Sequence, residues 1–106
     1  MKEVKQMSRQ ITEIISRKFM NDESYRLSNS EVHRDFETTR LYLFGNLIAR
    51  KKIGERKFEI TMAGYGTATT RERLNGLPNV RISQKNYIQY LNGKEIDTDA
   101  WYTIEV

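Results

Sequence analysis

The sequence predicts one α+β domain over residues 1–106: a long N-terminal amphipathic helix packed on an antiparallel sheet of about five to six strands, with a short second helix inserted midway. Three observations predict this fold. Apolar residues recur at three- and four-residue steps near the N-terminus, the spacing of one helical face. Short apolar or alternating segments follow, separated by glycine and asparagine turns. A threonine- and arginine-rich stretch with a helix-start pattern interrupts these segments.

The N-terminal helix is predicted to run from about Lys2 to Met20. Its apolar face is formed by Val4, Met7, Ile11, Ile14, Ile15 and Phe19. Charged residues fall largely on the other faces, so the simplest role of this helix is to cover the sheet. The same apolar face would permit a homodimer or a partner helix.

No strand is predicted before residue 40. Asn21–Ser30 is rich in residues that favour turns and is predicted to be a connector, and residues 31–39 show no assignable period. The first two strands are predicted at Arg40–Phe44 and Leu47–Arg50, and a two-residue turn at Gly45-Asn46 joins them.

Later strands are marked by alternation and by turns. Phe58, Ile60 and Met62 alternate with polar residues, which predicts a third, half-buried strand. Three more strands are predicted at Val80–Ser83, Tyr87–Leu91 and Trp101–Val106, with turns at Asn86 and Asn92-Gly93.

The glycine-threonine-arginine segment Ala63–Asn75 joins the earlier strands to the later ones. Thr69 and Glu72 fit a capping box, so a helix of one or two turns is predicted at Arg71–Asn75, ended by Gly76. A helix start with hydroxyls and paired arginines is able to bind an anion, and it is equally able to be an ordinary capped connection.

The residue inventory argues against an enzyme. The chain has no cysteine, a single histidine (His33), and no nucleophile, phosphate-loop or metal-ligand motif. Asp97 and Asp99 fall in a segment predicted to be a solvated loop. We therefore expect no catalytic residue, no cofactor and no metal. No apolar segment approaches the roughly 20 residues that span a bilayer, so we expect no membrane partner. The absence of cysteine fits a cytoplasmic location.

Positive charge is concentrated in the middle of the chain. Residues 40–85 hold ten basic and three acidic side chains, whereas residues 86–106 hold one basic and four acidic side chains. The net charge of the whole chain is +4. Such a basic block can attract a polyanion, the acidic end of the same chain or an acidic partner.

Ten residues of this block are candidate contacts with nucleic acid or with another partner: Arg50, Lys51, Lys52, Arg56, Lys57, Tyr65, Thr69, Thr70, Arg71 and Arg73. Lysine, arginine and hydroxyl side chains contact phosphates, and an exposed tyrosine can stack on a base. A solvated turn at a sheet edge explains the first five equally well. Alanine at both Arg71 and Arg73 is expected to abolish partner binding with little change in thermal stability.

Several segments follow an unusual order of residues: Leu41–Ala49, Ala63–Asn75 with its Thr-Thr-Arg-Glu-Arg-Leu-Asn string, Gln84–Tyr87 and Tyr90–Glu95. In these segments the chain resembles a family of small accessory proteins of tailed bacteriophages. The resemblance implies a phage protein that acts in the bacterial host cytoplasm, and it implies no catalytic residue.

Two functions fit these observations. The first is non-enzymatic binding through a basic surface to nucleic acid or to a nucleic-acid–protein complex. The second is inhibition of a host protein, such as a bacterial defence nuclease complex, in the manner of an anti-CRISPR protein. For the second function, a basic face could occupy the acidic site of a nuclease or a nucleoprotein complex, and exposed tyrosine and arginine side chains make good anchors.

Overall fold

Two helices and nine strands make up the described part of the chain in the computed structural model, which covers the backbone of residues 2–106 and the side chains of residues 9–106. The helices are α1 (Lys2–Met20) and α2 (Ala68–Asn75). The strands are β1 (Tyr25–Leu27), β2 (Ser30–Arg34), β3 (Thr38–Leu43), β4 (Asn46–Lys52), β5 (Phe58–Ile60), β6 (Ile82–Lys85), β7 (Ile88–Leu91), β8 (Lys94–Ile96) and β9 (Tyr102–Ile104). The predicted α+β class is confirmed.

Helix α1 packs one face against the main sheet, as its apolar spacing predicted. Ile15 and Phe19 are fully buried, and the Phe19 ring meets the Phe58 ring edge-on with 5.8 Å between centroids. The side chains of Val4 and Met7, which belong to the same predicted face, lie outside the described residues.

The main sheet has six antiparallel strands in the order β1-β2-β3-β4-β5-β9. The prediction that Asn21–Ser30 is only a connector is wrong, because β1 and β2 form a hairpin within residues 25–34, and β2 extends into the segment 31–39 that received no assignment. Strand β1 is short and mostly exposed, and only Ser30 and Val32 of β2 are buried. This hairpin is stabilised by backbone pairing with the neighbouring strand. Such pairing leaves no apolar alternation in the sequence.

The turn between β3 and β4 lies one residue earlier than predicted. It consists of Phe44 and Gly45, whose φ angles are 50° and 79°, and Leu43 pairs with Asn46. Both residues are in the left-handed region, as a type I′ hairpin turn requires. An irregularity in the pairing at Leu41/Tyr42 absorbs the shift of one residue.

The later strands do not all join the main sheet. Strands β6, β7 and β8 form a separate three-stranded antiparallel sheet, connected by the predicted turns at Asn86 and Asn92-Gly93. Strand β8 (Lys94–Ile96) is absent from the prediction, since three mostly polar residues give no alternation signal. Strand β9, which follows β8 in the chain, does not join this second sheet. It pairs with β5 at the edge of the main sheet.

One hydrophobic core joins both sheets and both helices. It includes Phe19 of α1, Leu41 of β3, Leu74 of α2 and Ile82 of β6. The core occupies the α1 side of the main sheet, so the opposite face of that sheet is left to carry polar side chains.

Candidate nucleic-acid interface

A row of polar side chains crosses the face of the main sheet opposite α1. His33 pairs with Arg40, Arg40 with Arg50, Arg50 with Glu59, and Glu59 with Thr103. Directly paired residues of antiparallel strands point to the same face. The neighbouring row, which starts at Val32 and Leu41, supplies the core. Strand register therefore brings two arginines side by side on the outer face.

Arg50 is held from two sides. Its Nε donates to Glu59 Oε1 at 3.0 Å, and its guanidinium carbon lies 3.8 Å above the centroid of the Trp101 ring. The Arg50 side chain nevertheless keeps 40% of its surface exposed. A guanidinium held in this way loses little conformational freedom when it meets an anion.

Arg40 is fixed by the loop between β2 and β3. Its Nη1 donates to Asp35 Oδ2 at 2.8 Å. The other carboxylate oxygen of Asp35 accepts hydrogen bonds from the backbone amides of Glu37 and Thr38, both at 2.9 Å. The hydrogen bonds from these two amides, with a smaller contribution from Arg40, lower the pKa of Asp35 to about 2.

Three more cations lie at the same end of the sheet. Lys52 pairs with Thr38, and Arg56 and Lys57 belong to the loop that connects β4 to β5; all three are exposed. A cleft of about 400 Å³ opens among these side chains, with Arg50, Lys52 and Lys57 in its lining. We call the group Arg40, Arg50, Lys52, Arg56 and Lys57 the basic patch.

Acidic side chains share this region with the basic patch. Asp35 and Glu59 are engaged with Arg40 and Arg50, while Glu37 and Glu55 are exposed in the two loops. With five arginines and lysines against these four carboxylates, positive charge is in slight excess, and Lys52, Arg56 and Lys57 have no ion pair among the described side chains.

Lys51, predicted as a contact residue, points into the protein. Its side chain is 1% exposed, and its Nζ donates to Asp22 Oδ1 at 2.8 Å. Burial alone would raise the pKa of Asp22, but hydrogen bonds from Lys51, Thr39 and Gly54 outweigh burial and lower that pKa below its ordinary value of 3.8. Strand alternation explains the correction, because Lys51 lies between the outward-facing Arg50 and Lys52.

Arg73 is also buried, which corrects its assignment as a surface contact. Among its contacts, it donates to Thr12 Oγ1 at 2.8 Å, to Ser30 Oγ at 3.0 Å and to Asn29 Oδ1 at 3.2 Å. Burial lowers the pKa of Arg73, and nearby Glu72 partly offsets this effect. Arg73 thus ties α2 to α1 and to the turn between β1 and β2, so alanine there would leave buried hydroxyls without their donor and lower stability.

The predicted capping box of Thr69 and Glu72 is wrong. The N-cap of α2 is Thr67, whose side chain accepts a hydrogen bond from the backbone amide of Thr70 at 3.2 Å. The hydroxyls of Thr67 and Thr70 also lie 3.0 Å apart, and Thr70 is buried. Thr70 therefore serves the helix start and does not reach the surface.

Arg71 joins α2 to the second sheet. Its Nη1 donates to Gln84 Oε1 at 2.8 Å, to Gly66 O at 3.1 Å and to Gln89 Oε1 at 3.2 Å. Its guanidinium already has several acceptors within the chain, so Arg71 fits a structural role better than a contact with an anion.

Tyr65 and Thr69 remain at the surface, but far along the sheet from the basic patch. They line a groove of about 310 Å³ beside the turn between β3 and β4. Phe44 of that turn is 68% exposed and Tyr65 is 52% exposed. The turn lies at the end of β3 and β4 opposite to the basic patch, so the ten predicted contact residues do not form one site.

Phe36 is a surface aromatic that the sequence prediction missed. It lies in the loop between β2 and β3, and its side chain is fully exposed. The signal for it is weak, since an aromatic residue between Asp35 and Glu37 matches no helix or strand period.

Among residues 9–106, no group of three histidine or carboxylate side chains is placed to hold a metal ion. In the described part of the chain, neither helix is long and apolar enough to cross a membrane.

The fold and the basic patch define a small α+β protein with cationic side chains gathered at one end of its main sheet. Residues 8–105 match the family described as Kyanoviridae Gp96 protein, so the chain belongs to this phage-associated family. The resemblance to a family of small phage proteins is thereby confirmed at the level of the family. No curated protein and no solved structure matches the chain.

Proposed function

We propose that this phage protein binds nucleic acid, alone or in a complex with protein, through the basic patch, and that it does so without catalysis in the cytoplasm of the bacterial host. The observation that supports this proposal most directly is the strand register. Arg40 pairs with Arg50, and Thr38 with Lys52, so three cations lie on one face and at one end of the sheet. The adjoining loop adds Arg56 and Lys57.

The cations of the basic patch would act in two ways. Arg50 and Arg40 are fixed by carboxylates and, for Arg50, by the Trp101 ring, so they present guanidinium groups in set positions. Lys52, Arg56 and Lys57 are exposed and can follow phosphates of variable spacing. Fixed and flexible cations together provide affinity without base recognition.

A pair of charge-matched variants tests the proposal. The first replaces Lys52, Arg56 and Lys57 with alanine, and the control replaces Arg81, Lys85 and Lys94, which are equally exposed on or beside the second sheet. Both lower the net charge by three. Fluorescence anisotropy with labelled oligonucleotides across a series of salt concentrations gives the affinity and its salt dependence.

The patch variant should bind more weakly, and its plot of log affinity against log salt should be shallower by roughly 2 to 3, since each lost phosphate contact removes about 0.9 for duplex DNA and about 0.7 for a single strand. The control should retain most of the wild-type slope. Equal losses in both variants would show that net charge alone attracts the nucleic acid, and absence of binding by the wild type at low salt would refute the proposal.

A second candidate function is inhibition of a host protein, for example a defence nuclease complex. The observation that favours it is the groove beside Phe44 and Tyr65, whose described lining contains no charged side chain. Exposed aromatic residues at the rim of an uncharged groove are suited to anchoring a protein partner. Phe44 also has a φ angle of 50°, a conformation that asparagine adopts more easily than phenylalanine.

Phe44→Asn therefore separates binding from folding. This change removes the aromatic ring while it retains or improves the type I′ turn, so thermal stability should stay the same or rise. Affinity capture from nuclease-treated host lysate should then yield one stoichiometric partner with the wild type and none with Phe44→Asn. Equal capture by both proteins would exclude the groove as the docking site.

A further inference from the structure

The loop between β2 and β3 presents Phe36 to solvent with its side chain 100% exposed. The loop is nevertheless ordered by hydrogen bonds. Asp35 accepts from the amides of Glu37 and Thr38 and donates its own amide to Thr38 O at 3.0 Å. The exposure of Phe36 is thus a feature of a defined loop, in which the phenyl ring gains none of the stabilisation that burial would provide.

This loop adjoins the loop that carries part of the basic patch. The amide of Ile53 donates to Glu37 O at 2.9 Å, and Thr38, two residues after Phe36, pairs with Lys52. The backbone beside Phe36 therefore lies against Lys52 and against the start of the loop that carries Arg56 and Lys57, and Arg40 is hydrogen-bonded to the neighbouring Asp35.

Four other aromatic residues at the surface lack this setting. One face of Trp101 is covered by Arg50. Tyr87 is 92% exposed, but it lies in the β6–β7 turn of the second sheet. Phe44 and Tyr65 lie beside the groove at the far end of β3 and β4. Of these five rings, Phe36 is the one with both faces open next to the basic patch.

We propose that Phe36 is a stacking platform for a base of single-stranded nucleic acid whose phosphates lie on the basic patch. This inference rests on the proposed function and specifies its substrate class. In a duplex the bases are already stacked on one another, so the ring would find no free base face; in a single strand it would. Glu37, next to Phe36, repels phosphate and so favours a base at this position over the backbone.

The test compares four proteins on three probes. The proteins are the wild type, Phe36→Ala, Phe36→Trp and the control Tyr87→Ala, which removes an equally exposed ring from the second sheet. The probes are labelled single-stranded DNA, single-stranded RNA of the same sequence and the corresponding DNA duplex. Anisotropy titrations over a salt series give affinities and slopes, and thermal melts should coincide because neither ring is packed.

Phe36→Ala should weaken single-strand binding by about 5- to 150-fold, the range that loss of one base–aromatic stack produces. Its salt slope should stay unchanged, because no phosphate contact is removed. Phe36→Trp should restore the affinity, and Tyr87→Ala should bind like the wild type. Tighter binding of DNA or of RNA would identify the source of the single strand, and either result supports the inference.

Three results would overturn the inference. If Phe36→Ala binds single strands like the wild type while the Lys52, Arg56 and Lys57 variant loses binding, the stacking role fails and the proposed function stands. If Phe36→Ala weakens duplex and single strand equally, the ring is not a base platform. Failure of the wild type to bind any probe would refute the proposed function and this inference together.

Discussion

At the scale of single residues, Asp22 organises more of the fold than its position in a polar connector suggests. It follows α1 with a φ angle of 56°. Its carboxylate accepts hydrogen bonds from Thr39 Oγ1 at 2.6 Å, from Lys51 Nζ at 2.8 Å and from the amide of Gly54 at 3.1 Å. One side chain thereby connects the end of the helix to β3, β4 and the loop that carries part of the basic patch.

We expect Asp22→Asn to lower the free energy of unfolding by about 3 kcal/mol at neutral pH, because it leaves the buried Lys51 ammonium without a counter-charge. Asparagine tolerates the left-handed backbone, so strain adds little. Urea denaturation of both proteins measures the difference. The folded-state pKa of Asp22 is lowered, so its stabilisation is complete above the unfolded-state value near 3.8 and is lost as pH falls through the folded-state pKa.

The difference between wild type and Asp22→Asn should therefore narrow only below about pH 4. The double variant Asp22→Asn with Lys51→Met provides the control, since removal of both charges should recover part of the loss. A difference that persisted at low pH, or a double variant less stable than Asp22→Asn, would show that the ion pair is not the cause.

Burial is the residue-level property that the sequence did not reveal. Nothing in the local sequence distinguishes Lys51 and Arg73 from the neighbouring cations Lys52 and Arg71. Yet Lys51 and Arg73 are buried. For Lys51 the alternation of β4 places it inward, and for Arg73 the helix turns it towards Thr12 and Ser30. A cation next to polar acceptors from distant segments can be recognised only when the segments are assembled.

At the scale of elements, substitutions at the start of α2 can distinguish the observed N-cap residue, Thr67, from the predicted one, Thr69. Thr67→Ala should lower the free energy of unfolding by about 1 kcal/mol, because it removes the acceptor for the Thr70 amide. Thr69→Ala should change stability by less than about 0.5 kcal/mol, as expected for a residue outside such a contact. Chemical denaturation of the two variants provides the comparison, and a larger loss for Thr69→Ala would restore the predicted capping box.

Elements with strong local patterns were predicted well. The boundaries of α1 agree with its apolar spacing, and the turns at Asn86 and Asn92-Gly93 follow the preference of these residues for positive φ angles. Of the strands that were missed, β1 and β8 are short and largely exposed, and β2 has Val32 as its one buried apolar side chain, so pairing with neighbours determines all three. The displaced turn at Phe44-Gly45 depends on an irregular register that no local propensity records.

At the scale of the whole molecule, folding divides the basic block of residues 40–85 into different roles. Five of its cations form the basic patch at one end of the main sheet. Lys51 and Arg73 enter the interior, and Arg71 connects α2 to the second sheet. The threonine-arginine segment, for which the sequence predicts either an anion site or a capped connection, is largely part of the scaffold.

The separation of the two exposed regions gives the molecule two distinct surfaces to test. The basic patch with Phe36 lies at the end of β3 and β4 where Thr38 pairs with Lys52, and the groove of Phe44 and Tyr65 lies at the other end. Substitution in one region should leave binding at the other unchanged, since sites this far apart with no shared partners generally act independently.

The sequence by itself determined the α+β class, the helix α1, the charge of the middle segment and the membership in a phage family, because periodicity, composition and ordered motifs are local properties of the chain. Only the tertiary structure decided which cations face solvent, how the nine strands of the described residues divide between two sheets and where Phe36 lies. These features depend on strand register and on contacts between distant segments. The free energies of such contacts exceed the local conformational preferences of the residues, and no short stretch of sequence contains the information that specifies them.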